Sequence, residues 1–346
     1  MRQLLFKGFA PQSLRAACRP PLVLIRGSRA SWLSYLRRLA HAQCFVIAGA
    51  DVMDGRYGID QTLHSLDLAD IACAAGVPTS VLGFSFSDAP EPAAVARLRA
   101  VNPGISFNLR DPVSLQRFET ATGRPAQLVA DMAFSLQPAL QDPPATSGAA
   151  WIDRQRADGC AIVGLNANVL TRQSDHDAVI DIYTETIAGL HREIGKVAFL
   201  LIPHDFRPEQ SDARTLSDIA ARLPAEVAAR VRLVAAPLAA WEVKALAAKL
   251  DMIVTGRMHL AIAALGSRVP PLCISYVGKF EGLMAHFGID GLVVEPDAAY
   301  RPGVLLDRAL HAFRDRLAHR DRIAAALPAV GDLAEKNFEI LSRPRE

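Results

Sequence analysis

The sequence predicts an α/β protein with two domains, each built on a parallel β-sheet. Short apolar runs alternate with longer segments of helical periodicity, a pattern typical of parallel sheets covered by helices. The 346 residues are too many for one compact core and suit two domains of about 150 residues each. Residues 137–151 are rich in proline and carry no period, which predicts a linker between the two series.

The first series contains apolar runs that predict strands and amphipathic segments that predict helices. The predicted strands are residues 22–25, 44–48, 79–84, 105–109 and 127–130. The predicted helices are residues 32–40, 63–75, 92–101 and 112–120. The Asp-Pro pair before the last of these helices predicts an N-cap at Asp111, followed by a proline in the first turn.

The second series repeats this alternation. The predicted strands are residues 161–165, 197–202, 231–235, 251–254 and 272–275, and the predicted helices are residues 176–193, 212–223, 241–250, 258–265 and 280–287. Residues 305–341 are largely helical in pattern. We therefore expect an acceptor-side domain over residues 1–145, a donor-binding domain over 150–325 and a C-terminal helix over 326–346. Two Rossmann-like, doubly wound domains that face a cleft would give a GT-B-like architecture.

Composition excludes several classes of protein. The net charge is +2, without the basic stripe of a nucleic-acid-binding protein. No apolar run approaches the ~20 residues of a transmembrane helix, and no cysteine or histidine cluster predicts a metal site. The cysteines are far apart and lack a CxxC pair, so we expect free, buried thiols at Cys44, Cys73, Cys160 and Cys273. We expect a cytoplasmic location, with peripheral association with a membrane as a further option.

An arginine and a histidine stand where a predicted strand leads into a helix. Arg257 and His259 follow the apolar run 251–254 and begin a helix that is apolar nearly all round. The free N–H groups and the dipole of a helix N-terminus favour anions. A cation there is unfavourable unless an anion offsets it. Arg257 is therefore predicted to bind a phosphate or carboxylate, with an exposed surface cation as the alternative.

Polar side chains also follow two strands of the first series, at the strand ends where open α/β sheets bind ligands. Asp51 lies in a glycine-rich loop after residues 44–48, and is either a base toward a hydroxyl or a turn residue. Arg110 follows residues 105–109. It either forks onto a carboxylate or phosphate, or pairs locally with Asp111 or Asp131.

Two strands of the second series end in further candidates. His204 follows residues 197–202 and is either a ligand or proton carrier, or a loop histidine satisfied by its neighbours. Tyr276 and Lys279 follow residues 272–275. Lys279 either reaches the same anion as Arg257 or is a solvated lysine.

Several of these segments resemble the polysaccharide pyruvyl transferase family. The stretch TGRMHLAIAALGSRVPPLCISYVGK resembles its C-terminal signature, an R-x-H at a helix start, a small-residue helix and an apolar strand that ends in Tyr and is followed by Lys. The segments GVPTSVLGFSF, FNLRDPVSL, LVADMAFSL and LLIPHDF resemble upstream family segments. The resemblance spans about residues 42–290.

The resemblance implies a GT-B-like fold and a defined reaction. Phosphoenolpyruvate is the implied donor substrate, without any cofactor or metal. Its pyruvyl group is transferred as a ketal onto two hydroxyls of one sugar, in a glycan or lipid-linked saccharide acceptor. By motif, Arg257, His259 and Arg110 match donor-binding positions. Asp51 falls in the acidic loop, so Asp51 and His259 are the candidate catalytic residues, with Lys279 as a further donor ligand and His204 and Tyr276 as further site candidates.

The chain departs from the family pattern near its N-terminus. No glycine-rich G-N-x-G-D turn precedes residue 22, and AGADVMDG replaces the usual run of glycines. We therefore expect the first domain to lack its first βα unit. The alternatives to pyruvyl transfer are a GT-B glycosyltransferase that uses a nucleotide sugar and a non-catalytic member of the family.

Overall fold

A computed structural model describes residues 29–49, 53–167, 176–206, 211–234, 236–275 and 280–344. The chain forms two compact units. The first unit consists of two segments, Met1–Leu136 and Ala329–Glu346, and the second unit is Gln137–Pro328. The strand predicted at 22–25, and with it the predicted loss of a βα unit, lies outside the described residues.

The first unit is a parallel sheet with helices between its strands. Its elements are α1 (Arg29–Ala40), β1 (Phe45–Ile47), α2 (Ile59–Ala74), β2 (Thr79–Phe84), α3 (Pro92–Ala100), β3 (Ser106–Leu109), α4 (Pro112–Thr122) and β4 (Gln127–Leu128). A 3₁₀ turn follows at Met132–Ser135. The four described strands are parallel and lie in chain order, β1-β2-β3-β4.

Aromatic side chains fill the core of the first unit. Phe84 and Phe107 from adjacent strands surround Phe118 of α4, with ring centroids 5.7 and 5.1 Å from that of Phe118. The predicted helix start is confirmed, because Asp111 Oδ1 accepts a 2.7 Å hydrogen bond from the backbone N–H of Ser114. These contacts hold β3 and α4 together and set the position of the loop that joins them, which carries Arg110.

The second unit continues the alternation of strands and helices. It begins with α5 (Pro143–Ala157), β5 (Ala161–Leu165), α6 (His176–Ile194), β6 (Val197–Leu201), α7 (Asp212–Arg222), α8 (Ala225–Ala228), β7 (Val231–Leu233) and α9 (Ala240–Ala247). It continues with β8 (Met252–Thr255), α10 (Met258–Leu265), β9 (Pro271–Ile274), α11 (Phe280–Ala285), β10 (Val293–Val294), α12 (Pro296–Ala299), α13 (Val304–Arg314) and α14 (Arg316–Glu335), with a 3₁₀ turn at Asp290–Leu292.

The strand order of the second sheet reverses once. The order is β10-β9-β8-β5-β6-β7, with all neighbours parallel, which is the doubly wound Rossmann order. The reversal lies between β5 and β8, which are joined by the pairs Val163↔Met252 and Leu165↔Val254. Crossovers on the two sides of such a point diverge and open a crevice at the carboxyl ends of the strands. The fold therefore predicts a ligand site beyond Leu165 and Thr255.

The prediction of a linker at residues 137–151 is wrong for most of that segment. From Pro143 onward the segment is helix α5, with prolines in its first turn and Ala149 and Ile152 buried. Proline is common at helix starts because its missing N–H would be unpaired there anyway. Buried Glu242 holds the segment before α5, since its Oε1 accepts the N–H of Asp142 at 2.7 Å.

The C-terminal residues return to the first unit. Helix α14 contains Pro328, where the division between the units falls, and a 3₁₀ segment follows at Lys336–Ser342. Fully buried Asn337 accepts the N–H of Gly83 at 2.7 Å and donates to the carbonyl of Ala130 at 2.8 Å. The C-terminal segment therefore pairs backbone groups of the first unit that would otherwise be buried without partners.

Among the described cysteines, Cys160 and Cys273 are free thiols and buried as predicted, whereas Cys44 and Cys73, which form no disulfide, are only half-buried. Burial raises the pKa of the Cys273 thiol well above its usual range. Within the described ranges, no helix combines the length and apolar character needed to cross a membrane.

Candidate functional site

Buried polar side chains meet at the point where the second sheet reverses. Asn166 directly follows β5, and Thr255 is the last residue of β8. Thr255 Oγ1 lies 3.4 Å from Asn166 Oδ1 and accepts the backbone N–H of Arg257 at 2.9 Å. Both polar side chains are fully buried. They bridge the two strands and fix the turn that leads into α10.

Arg257 is held in a buried ion pair. Its Nε and Nη2 donate to the two oxygens of Asp212, at 3.2 and 2.6 Å. Its Nη1 lies 3.5 Å from Asp205 Oδ2. The Arg257 side chain is 10% exposed, so the alternative of a solvated surface cation is wrong. The anion that offsets this cation at a helix start is, in the free protein, a carboxylate of the chain itself.

Asp212 accepts hydrogen bonds from several elements of this site, and the sequence did not predict this role. It is the first residue of α7 and fully buried. Besides Arg257, its Oδ2 accepts Asn166 Nδ2 at 2.9 Å and the backbone N–H groups of His204 and Asp205 at 3.1 and 3.0 Å. An acidic residue in the first turn of a helix is common. No local signal therefore distinguished Asp212 from an ordinary helix start.

Two histidines flank the arginine. His204 and His259 have nearly parallel rings, with centroids 6.5 Å apart. His204 is half-buried and His259 is exposed. Burial first, and then the neighbouring His259, lower the pKa of His204 to about 4, against a smaller opposing effect of Asp212. His204 is therefore neutral near pH 7 in the free protein.

The arrangement suits a small anion with more than one charged group. A guanidinium offers two edges for bidentate pairing with carboxylate or phosphate, and Asp212 occupies one of them. The second edge, whose Nη1 lies at the longer distance of 3.5 Å from Asp205 Oδ2, supplies directional donors at the carboxyl ends of the strands, with two imidazoles nearby. The structure brings together Arg257, His259 and His204 of the predicted residues, because β6 and β8 flank β5.

Arg110 lies in the first unit in a different environment. Its Nη1 donates to Asp131 Oδ2 at 2.9 Å and its Nε to Ser85 Oγ at 2.8 Å, and its side chain is 2% exposed. The partner Asp131 is one of the two that the sequence allowed. This environment favours the structural interpretation, and donor binding by Arg110 stays a prediction.

Three predicted residues, Asp51, Tyr276 and Lys279, lie outside the described residues, and their roles stay predictions. In the part of the chain that the structure describes, no group of three or more His, Cys, Asp or Glu side chains is placed to hold a metal ion.

Comparison with solved structures shows the fold. The chain is similar to a UDP-forming α,α-trehalose-phosphate synthase from Burkholderia xenovorans, at 14% identity over 93% of this chain and 81% of that chain, with a TM-score of 0.51. It is also similar to a UDP-GlcNAc 2-epimerase from Neisseria meningitidis bound to UDP-GlcNAc, at 12% identity over 90% and 79% of the two chains, with a TM-score of 0.56. These similarities confirm the predicted GT-B-like fold.

Comparison of the sequence with models of protein families identifies the family of this chain. No curated protein matches the chain. The family model described as polysaccharide pyruvyl transferase matches residues 12–277, which is most of the chain. This confirms the resemblance that the R-x-H segment and the upstream segments indicated. The chain belongs to the polysaccharide pyruvyl transferase family.

Proposed function

We propose that this protein transfers the pyruvyl group of phosphoenolpyruvate to a sugar of a cell-surface polysaccharide or its precursor, and forms a pyruvate ketal. The observation that supports this most directly is Arg257, which is fixed at the strand ends by Asp212 and lies near His204 and His259. Phosphoenolpyruvate carries a phosphate and a carboxylate on a three-carbon unit. A rigid guanidinium edge and two proton-accepting rings suit both groups.

The proposed pyruvyl transfer proceeds through a series of bond changes. A proton is added to the methylene carbon of the donor, and the adjacent carbon takes on oxocarbenium character. A sugar hydroxyl attacks that carbon and gives up its proton. The carbon–oxygen bond to phosphate then breaks and the phosphate leaves. A second hydroxyl of the same sugar attacks the carbon, loses its proton to the group that gave up a proton in the first step, and closes the ketal. Arg257 would stabilise the negative charge that gathers on the departing phosphate.

One acid and one base are enough for these proton transfers. His259 is our candidate for the acid, and Asp51 for the base toward the sugar hydroxyl. No cofactor is needed, since the donor itself carries the reactive enol. If the acceptor is a lipid-linked saccharide, the protein works at the surface of a membrane.

The second candidate is a glycosyltransferase that uses a nucleotide sugar. The fold supports it, because one solved structure of similar fold is described as bound to UDP-GlcNAc. Against it, the sequence shows no clear acidic arrangement for a ribose. A non-catalytic family member is the third reading.

The test is turnover with a panel of sugar acceptors. The purified protein is incubated with phosphoenolpyruvate and each acceptor, and inorganic phosphate is measured, with acceptor-free reactions as controls. Acceptor-dependent phosphate release, with a product heavier by one ketal-linked pyruvate, supports the proposal. Parallel reactions with UDP-sugars report UDP release. UDP release without phosphate release would select the glycosyltransferase, and no turnover with either donor would favour the non-catalytic reading.

A further inference from the structure

Asp212 is buried behind the arginine, where no ligand reaches it. Its side chain is 0% exposed, and its two oxygens accept five hydrogen bonds from Arg257, Asn166 and two backbone N–H groups. Oδ2 accepts four of these hydrogen bonds and Oδ1 accepts the one from Arg257 Nη2, and the whole carboxylate is excluded from solvent. Asp212 is therefore neither a ligand of the donor nor a base.

We propose that Asp212 is a positioning residue, which holds one edge of the Arg257 guanidinium so that the other edge is presented to the anionic donor. This inference rests on the proposed function, because it names how that donor site is kept in shape.

The geometry of the guanidinium supports this role. The edge formed by Nε and Nη2 faces Asp212 in a fork, at 3.2 and 2.6 Å. The remaining edge, formed by Nη1 and Nη2, is the second bidentate surface of the group. Nη1 is 3.5 Å from Asp205 Oδ2, which is longer than an ordinary N–H···O hydrogen bond of about 3 Å. The fork with Asp212 therefore sets the plane of the guanidinium.

Asp212 also links three strand ends. Asn166 follows β5, the backbone N–H groups of His204 and Asp205 follow β6, and Arg257 follows β8. All of them donate to the same carboxylate. The Asp212 carboxylate consequently fixes the backbone at His204 relative to Arg257, and a change at Asp212 would shift both ligand-facing groups together.

A purely electrostatic role of Asp212 and a positioning role predict opposite changes in donor affinity when its charge is removed. Removing a negative charge beside an anion site strengthens anion binding if only electrostatics matters. Removing the fork weakens binding if position matters. In Asp212→Asn the side chain keeps its size but loses the charge and one acceptor. We expect the affinity for phosphoenolpyruvate, measured by calorimetry, to fall about tenfold or more, as for the loss of charged hydrogen bonds.

Asp205→Asn is the matched control. It removes the same charge near the same arginine, but Asp205 does not form the fork. We expect Asp205→Asn to bind phosphoenolpyruvate more tightly, and Asp212→Asn to bind it less tightly. Equal or tighter binding by Asp212→Asn would overturn the positioning role. Turnover adds a second readout: the value of kcat/KM should fall in Asp212→Asn even at saturating acceptor.

A measurement on the wild-type protein covers the case in which Asp212→Asn does not fold. The Nε–H resonance of Arg257, assigned by its absence from Arg257→Lys, should exchange slowly with water and stay at one chemical shift when inorganic phosphate is added. Exchange as fast as that of exposed arginines would overturn the inference. If the wild-type protein binds no phosphoenolpyruvate, the proposed function fails, while slow exchange would still support the fork.

Discussion

At the scale of single residues, one cation of the site is paired with two carboxylates. Arg257 contributes one positive charge, and Asp212 and Asp205 two negative charges, so these three groups sum to minus one when the nearby histidines are neutral. The pairing also explains how an arginine is tolerated at the start of α10, where the helix dipole opposes a cation.

The first prediction concerns the fork of Arg257. In Arg257→Lys, a single ammonium cannot serve Asp212 and the donor in bidentate fashion at once. We expect the dissociation constant for phosphoenolpyruvate to rise about tenfold or more. Arg222→Lys is the control, because Arg222 lies on α7 in exposed pairs with Asp177 and Asp181. Unchanged affinity and turnover in Arg257→Lys would remove this residue from the site.

The second prediction concerns pH. The pKa of His204 is lowered to about 4 by burial and then by His259 and Arg257, against Asp212 and Asp205. A bound anion raises this pKa, so the complex binds a proton that the free protein does not. By linkage, the contribution of His204 to donor affinity grows as pH falls below its raised pKa in the complex, and it levels off near the free-protein value of about 4.

Calorimetry in buffers with different ionisation enthalpies measures this proton uptake directly. The donor phosphate itself titrates near pH 6, so the comparison is with His204→Gln, in which the contribution of the ring is absent. We expect fewer protons taken up by His204→Gln. The same proton count in both proteins would show that His204 does not titrate on binding. His259→Gln provides the equivalent comparison for the proposed acid.

At the scale of elements, glycine allows two strand ends of the first sheet to approach closely. A Cβ atom at Gly49, just after β1, would lie 1.9 Å from the carbonyl oxygen of Leu82 and 2.0 Å from that of Gly83. Neither atom is the end of a flexible side chain, so the backbone itself would have to move. The end of β1, which leads toward Asp51, is therefore tightly constrained.

The third prediction follows from this approach. Gly49→Ala should reduce the free energy of unfolding of the first unit by at least the roughly 1–3 kcal/mol typical of overpacking. Gly331→Ala is the control, because it lies inside α14 with no atom within 4 Å of an added Cβ. It should be stabilising by roughly 0.5–1 kcal/mol. Chemical denaturation measures both, and a neutral Gly49→Ala would contradict the packing described.

At the scale of the whole molecule, the chain makes its two units from three segments. The last residues, from Ala329 onward, belong with the first unit although they follow the second in sequence. Asn337 connects these last residues to the first unit, because its side chain hydrogen-bonds to backbone groups of Gly83 and Ala130. The first unit is therefore incomplete without the C-terminus of the chain.

The fourth prediction tests this completion. Asn337→Ala leaves the N–H of Gly83 and the carbonyl of Ala130 buried without their partner, at a cost of roughly 1–3 kcal/mol for each group. Hydrogen exchange should accelerate in peptides from β2 and the C-terminal 3₁₀ segment, and stay unchanged in β5 and β8. Ser342→Ala is the control, because its exposed hydroxyl bonds only locally. Equal exchange in wild type and Asn337→Ala would show that this contact contributes nothing.

The sequence by itself determined the alternation of strands and helices, the start of α4 at Asp111, and the position of Arg257 and His259 at a strand-to-helix turn. These follow from periodicity and capping, which are local properties of the chain. It did not reveal helix α5, because the prolines that begin a helix are also typical of a linker.

Only the tertiary structure decided what surrounds those residues. Asp212 lies 45 positions before Arg257 and became its partner because β6 and β8 flank β5 in the sheet. Arg110 pairs with Asp131 because the segments that follow β3 and β4 are adjacent in the first sheet. Periodicity reports which face of an element is buried, whereas strand order decides which strand ends, and therefore which side chains, meet.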